Sequence, residues 1–157
     1  MKQSHRLNLE LAAAADAMPI ARMSRQLIEA GLPWSWTPQR VARSLRERDT
    51  LVLTARDGAC LAGFSIMQFG DERAHLSLLA VRPDYQRQGV GARMLHWLTE
   101  SALVAGIASI HLELRENNRD ARRFYLEQEF AETARIARYY SGVETAVRML
   151  RDIRVRR

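Results

Sequence analysis

At 157 residues, 47% apolar and 27% charged, the chain has the length and composition of one soluble globular domain with its own hydrophobic core. Its 24 Lys and Arg against 18 Asp and Glu give a net charge of +6, a surplus that attracts anions such as nucleic acid or a phosphorylated ligand. The arginines are scattered apart from the tail Arg151-Asp152-Ile153-Arg154-Val155-Arg156-Arg157, which argues against a nucleic-acid surface, and the single cysteine, Cys60, excludes an internal disulfide.

Cys60 stands in an apolar stretch and reads as a small buried hydrophobe in a reducing compartment. Glu10 and Asp16 interrupt the apolar run from Leu7 to Ile20, so it is neither a signal-peptide core nor a membrane span. A cytoplasmic protein without a membrane partner is expected, with monomer and homodimer both open. No repeat or linker divides the sequence, and residues 1–157 are expected to form a single domain.

In chain order, Leu7 to Leu11 alternates apolar and polar residues as a short strand does. Asp16 is expected to cap a helix running to about Ala30, ended by Gly31 and Pro33, with Ile20, Met23, Leu27 and Ile28 on one face. Thr37-Pro38 reads as an N-cap and first helical position, with Val41 and Leu45 facing inward. Strands follow near Thr50 to Ala55, Cys60 to Phe69 and Ala74 to Val81, joined by turns at Asp57-Gly58 and Gly70-Asp71. Leu78-Leu79-Ala80-Val81 is continuously apolar, the pattern of a strand buried on both faces.

Met94, Leu95, Leu98 and Ala102 mark a long amphipathic helix ended by Gly106. Ile110, Leu112 and Leu114 then alternate with His111 and Glu113, giving a strand with one apolar and one chemically equipped face. Asn118 caps a helix carrying Ala121, Phe124 and Tyr125, and strands from Ala131 to Tyr139 and Thr145 to Leu150 meet at Ser141-Gly142. This order predicts a mixed α/β sheet.

Between the third strand of the meander and the long helix lies Gln86-Arg87-Gln88-Gly89-Val90-Gly91. Glycines at a helix start let backbone approach a ligand, and exposed N–H groups there attract an anion, of which a pyrophosphate is the natural example. No Lys-Ser or Lys-Thr follows, so the loop is not a Walker-type phosphate loop, and the first glycine of the dinucleotide fingerprint is missing. The four histidines, His5, His75, His96 and His111, lack ligand spacing, and no metal is expected.

The run Val81-Arg82-Pro83-Asp84-Tyr85-Gln86-Arg87-Gln88-Gly89-Val90-Gly91 resembles motif A of the GNAT superfamily of N-acetyltransferases, with its Arg/Gln-x-x-Gly-x-Gly/Ala core. Asn118, Ala121, Phe124 and Tyr125 stand at the spacing of that family's Asn-x-x-Ala-x-x-Leu-Tyr, and the resemblance spans about Thr50 to Leu150. Leu112-Glu113-Leu114-Arg115, Pro33-Trp34-Ser35 and Arg138-Tyr139-Tyr140 are similar to segments of the bacterial branch that acetylates ribosomal-protein N-terminal alanine. One departure is Glu129-Phe130 where the family has Gly-Phe. A non-glycine residue in that left-handed position costs about 1 kcal/mol.

The resemblance implies the GNAT fold, a mostly antiparallel sheet of about seven strands flanked by about four helices. It implies acetyl-CoA as co-substrate: Leu79, Ala80 and Val81 pair with the pantetheine arm, Arg87, Gln88, Gly89, Val90, Gly91 and Ala92 surround the pyrophosphate, and Asn118 bonds the arm. Backbone groups do most of this work, so substitution at Gln88 or Val90 is expected to be mild and bulk at Gly89 or Gly91 severe. Glu113 is the candidate base, directly or through water, and Tyr125 the candidate donor to the leaving thiolate. Trp34, Trp36 and His111 are candidates for the acceptor side or for packing. The expected reaction moves acetyl to a primary amine, a protein N-terminal α-amine in the resembled branch. A small-amine acetyltransferase, a silent acyl-CoA sensor and a basic nucleic-acid-binding module are the alternatives.

Overall fold

The computed structural model describes residues 7–154, so expectations that fall on His5 and on the last three residues of the arginine tail lie outside the described residues. Its strands are β1 (Asn8–Leu11), β2 (Thr50–Asp57), β3 (Cys60–Phe69), β4 (Arg73–Val81), β5 (Ser109–Arg115), β6 (Ala131–Tyr140) and β7 (Glu144–Asp152). Its helices are α1 (Ala17–Leu27), α2 (Pro38–Arg46), α3 (Val90–Val104) and α4 (Arg119–Glu127). The sheet order is β1-β2-β3-β4-β5-β7-β6, with β4 and β5 parallel and the other pairs antiparallel. The expected mixed α/β architecture, seven strands and four helices, is the one observed.

Each face of the sheet carries its own core. On one, Met94, Leu95, Leu98 and Ala102 of α3 join Leu53, Met67, Ala74, Leu76, Ile110, Leu112, Tyr125 and Phe130. On the other, Ile20, Ala21, Met23 and Val41 of α1 and α2 join Val52, Phe64, Ile66, Leu78 and Ala80. Each fully buried Leu, Ile, Met or Phe contributes about 1.5–3 kcal/mol of transfer free energy, so neither layer is dispensable.

Leu76 belongs to the first core and Leu78 to the second, although two residues apart in a strand should share a face. A β-bulge resolves this: Met67 pairs with Leu76 and Ile66 with Leu78, leaving Ser77 as the extra residue. The bulge reverses the facing of everything beyond it, turning Leu79 toward α3 and leaving His75 on the face of α1 and α2. Leu79 and Val81 are only half-buried, so the expectation of burial on both faces is corrected. β5 pairs with β4 only from Arg73↔Ser109 to His75↔His111, and from there the two strands part.

Three local expectations change. Helix α1 ends at Leu27, not near Ala30, because the Ile28 and Glu29 N–H groups both close on the Ser24 carbonyl, at 2.9 and 2.8 Å. The Asp16 side chain does not cap α1; its Oδ2 accepts from Ala13 N–H at 2.7 Å and its other oxygen pairs with Arg56. Cys60 is exposed, since the tight hairpin puts it at the first position of β3 beside the turn. Thr37 does cap α2, accepting from Arg40 N–H at 3.3 Å with Pro38 at the first turn.

Candidate active site

The parting of β4 and β5 opens a cleft of about 470 Å3. Leu76 to Leu79 form one wall and Leu112 to Arg115 the other, with Asn118, Ala121 and Tyr125 of α4 behind. The loop between α1 and α2 contributes Glu29, Leu32 and Trp36, and the β6–β7 hairpin contributes Tyr139, Tyr140 and Ser141. Of the expected site residues, Leu79, Glu113, Asn118 and Tyr125 therefore meet at one cavity. Ala80 packs instead into the α1/α2 core, and Val81 and Arg87 to Ala92 carry the chain from the end of β4 into α3.

Beyond Val81 the chain makes a 3-10 turn over Pro83–Tyr85 that is tied down on both sides. Arg82 Nε donates to the Leu61 carbonyl at 2.6 Å, and the Tyr85 hydroxyl donates to Asp57 Oδ2 at 2.8 Å. Arg87 at φ 60° and Gly89 at φ 80° adopt left-handed conformations on either side of Gln88, and Gly89 is the N-cap of α3. A helix leaves its first N–H groups without intrahelical acceptors, so this turn presents a row of donors to an anion. No acidic side chain stands in the first turn of α3, and the donor set suits a pyrophosphate. Val90 departs from expectation. It is 2% exposed in the α3 core, so its substitution is a packing change and not a mild one.

Tyr125 is 7% exposed and stands edge-on to Phe124 and Phe130, with ring centroids 5.1 and 5.5 Å away. Burial pushes its phenol well above the ordinary value, which keeps it protonated at neutral pH. Asn118 Oδ1 accepts from Ala121 N–H at 3.2 Å, so the cap that starts α4 also sets the turn on which Tyr125 lies.

Glu113 has a side chain only 11% exposed, with His75 Nε2 at 2.5 Å from Oε2 and Arg148 Nε at 3.2 Å from Oε1. The hydrogen bond from His75 holds its carboxyl below the usual range, against the opposing effect of burial, with Arg148 acting in the same direction as His75. Burial pushes the nearby His111 imidazole down, and the charges of Arg73, His75 and Arg148 add to this. Neither His75 nor Arg148 was legible as a site residue in the sequence, because each meets Glu113 only through strand register.

Glu29 is the other residue that sequence reasoning missed. Buried to 7% exposure, its carboxylate accepts from Ser24 Oγ at 2.8 Å and from the Ser35 and Trp36 N–H groups at 2.7 and 3.1 Å. It thereby folds the α1–α2 loop over the cleft. Trp34 donates its indole N–H to the Ala21 carbonyl at 3.2 Å, and Arg40 stacks on Trp36 at 3.7 Å, so both tryptophans anchor that loop while Trp36 also reaches the cleft. Among the described residues no group of His, Cys, Asp and Glu is arranged to hold a metal ion, and no helix is long and apolar enough to cross a membrane.

Residues 21–130 match the Acetyltransferase (GNAT) family. The ribosomal protein bS18-alanine N-acetyltransferase of Escherichia coli is 33% identical over 117 residues, 73% of this chain and 78% of that protein. The crystal structure of the ribosomal-protein-alanine N-acetyltransferase from Escherichia coli superposes with a TM-score of 0.80 at 27% identity, covering 94% of each chain. Arabidopsis thaliana NAA60 in complex with acetyl-CoA shares the fold at a TM-score of 0.83 and 12% identity, covering 95% of this chain and 99% of its own. By its glycine turn, its parted strands and these likenesses, the chain belongs to the Acetyltransferase (GNAT) family and is an acetyl-CoA-dependent N-acetyltransferase.

Proposed function

We propose that the acceptor is the α-amine of a protein or peptide N-terminus, and that the single domain carries out the whole reaction in the cytoplasm. The observation that carries this reading is the end of the β4–β5 ladder at His75↔His111, beyond which Glu113 and Tyr125 line one cleft. An extended peptide end can enter between the α1–α2 loop and the β6–β7 hairpin. The similarity to an enzyme that acts on a ribosomal protein's alanine supports the same choice.

When bound, acetyl-CoA supplies an acyl thioester. The backbone of Leu79, Ala80 and Val81, freed from β5 by the parting of the strands, holds its arm with Asn118. The N–H groups from Arg87 to Ala92 hold its pyrophosphate. A peptide α-amine has a pKa of about 8, so near neutrality it arrives mostly protonated. Glu113 takes that proton, directly or through one water. The nitrogen forms its bond to the acetyl carbon, the bond to sulfur breaks, and Tyr125 gives its phenolic proton to the sulfur. The second proton that the nitrogen sheds on becoming an amide restores the Tyr125 phenol by way of water. The proton taken from the amine returns to solvent by way of Glu113.

The test is a panel of peptides beginning with Ala or Ser set beside polyamines, aminoglycosides and amino acids, read by amide product. Turnover on peptides with little on small amines is expected. Turnover confined to small amines sinks the N-terminal reading and leaves the acetyltransferase intact.

A further inference from the structure

Glu113 does not face the acceptor cleft alone. A second concavity of about 490 Å3, lined by Gln68, Arg73, His75, His111, Glu113 and Arg148, lies on the same sheet face, and Glu113, His75 and Gln68 border both spaces. Between the two stands the His75 ring, its side chain 42% exposed, against a Glu113 side chain only 11% exposed. A bare imidazole nitrogen and a carboxylate oxygen would repel at the 2.5 Å that separates them, so Nε2 carries a proton and donates it to Oε2. On the other side of the ring, Nδ1 lies 3.3 Å from the hydroxyl of Ser77, the bulge residue of β4.

We propose that His75 is a positioning residue for Glu113: its Nε2–H bond fixes which carboxylate oxygen is turned toward the acceptor and sets how far activity survives acidification. The inference rests on the reading of Glu113 as the base. Three features of the site support it. One oxygen of Glu113 is held by His75 and the other by Arg148, so the carboxylate cannot rotate without losing a partner. The bulge at Ser77 keeps His75 on this face and offers its ring a second contact. Among the described residues, the charged and titratable groups that line the two spaces around the pair include one other carboxylate, Glu29 at the α1–α2 loop. The rest are His111 and Arg115 on β5, Arg73 on β4, Arg148 on β7, Tyr139 and Tyr140 at the end of β6 and Arg40 on α2 across the cleft, with Glu144 held away by Arg115.

The sign follows from the hydrogen bond. A donor to the ionised carboxylate keeps Glu113 charged at lower pH, so its removal moves the loss of kcat to higher pH. His75→Ala is expected to lower kcat roughly ten-fold near neutrality and to shift the acid limb of kcat upward, with the KM for acetyl-CoA unchanged. His75→Gln retains an N–H donor without the ring, and is expected to recover part of kcat and to place its limb between the other two. Profiles would be measured from about pH 4 to about pH 9, so that they reach the range in which a carboxylate titrates as well as that of the amine. Melting temperatures and acetyl-CoA binding of both variants would be measured in parallel.

An unmoved limb in both variants, or a loss uniform across pH that His75→Gln does not relieve, overturns the positioning role. Glu113→Gln separates the two layers. If it keeps full kcat, the base assignment fails and takes the inference with it. If it is crippled while the His75 variants keep the parent profile, only the inference fails.

Discussion

Arg115 grips Glu144 with two parallel hydrogen bonds, Nε to Oε2 and Nη2 to Oε1, each 2.7 Å long. Its remaining nitrogen donates to the Ala30 carbonyl at 2.6 Å. One guanidinium at the end of β5 thus joins the β6–β7 hairpin to the α1–α2 loop, the two flaps that flank the cleft.

Replacing Arg115 with Ala should therefore loosen the acceptor side and spare the cofactor side. The pair is partly exposed, so the stability cost should be modest, about 1–2 kcal/mol. The peptide KM is expected to rise several-fold while the KM for acetyl-CoA holds. Arg115→Lys should not restore it, because an ammonium cannot make the paired bonds and reach the carbonyl together. Steady-state kinetics with each substrate varied in turn checks this; equal changes in both KM values would refute it.

Tyr125→Phe keeps the ring packing against Phe124 and Phe130 and removes only the hydroxyl. If the phenol protonates the leaving sulfur, kcat should fall by roughly ten- to a hundred-fold with little change in melting temperature. Because burial pushes this phenol upward, an alkaline fall in wild-type activity at ordinary working pH should not come from Tyr125. A kcat equal to the parent's across the pH range would remove Tyr125 from the chemistry.

Helix α4 ends on Glu129 in a left-handed conformation, φ 68°, with Phe130 N–H returning to the Tyr125 carbonyl at 3.0 Å. The strain expected from Glu129-Phe130 is thus present in the backbone. Its partner Arg151 is 3.7 Å away and the Glu129 side chain is half exposed, so the pair offsets little. Glu129→Gly should stabilise the protein by about 1 kcal/mol, raising Tm by roughly 2–4 °C with kcat unaltered. A fall in Tm would mean that the ion pair outweighs the strain.

What the sequence made legible was local. The Thr37 and Asn118 caps, the hairpin turns and the glycine loop depend on residues a few positions apart, and they stand where their side chains can act. The site's second layer is not local. His75 and Arg148 reach Glu113 from positions 38 and 35 residues away. Their meeting depends on the register of β4, β5 and β7 and on one bulge at Ser77 that no periodicity announces. Glu29 was hidden for the opposite reason. A glutamate after an amphipathic helix looks like solvated surface until the loop N–H groups fold back onto it. Val90 was misread because a loop motif ends where a helix begins, and its side chain already faces the core.

The two glycines of the motif should fail in different ways. Gly89 has φ 80° and open space around a notional Cβ, so Gly89→Ala strains the backbone by about 1–2 kcal/mol at the turn that would hold the pyrophosphate. Its expected effect is a raised KM for acetyl-CoA with kcat at saturation largely kept. Gly91 has no such backbone demand. A Cβ there would lie 3.2 and 3.4 Å from two ring atoms of Phe124, which in turn leans on Tyr125 at 5.1 Å between centroids. Gly91→Ala should push that ring by a few tenths of an ångström and displace the donor it supports, lowering kcat more than it raises KM. Paired kinetics on the two variants would decide the matter: if both merely raise the KM for acetyl-CoA, the route from Gly91 through Phe124 to Tyr125 is wrong.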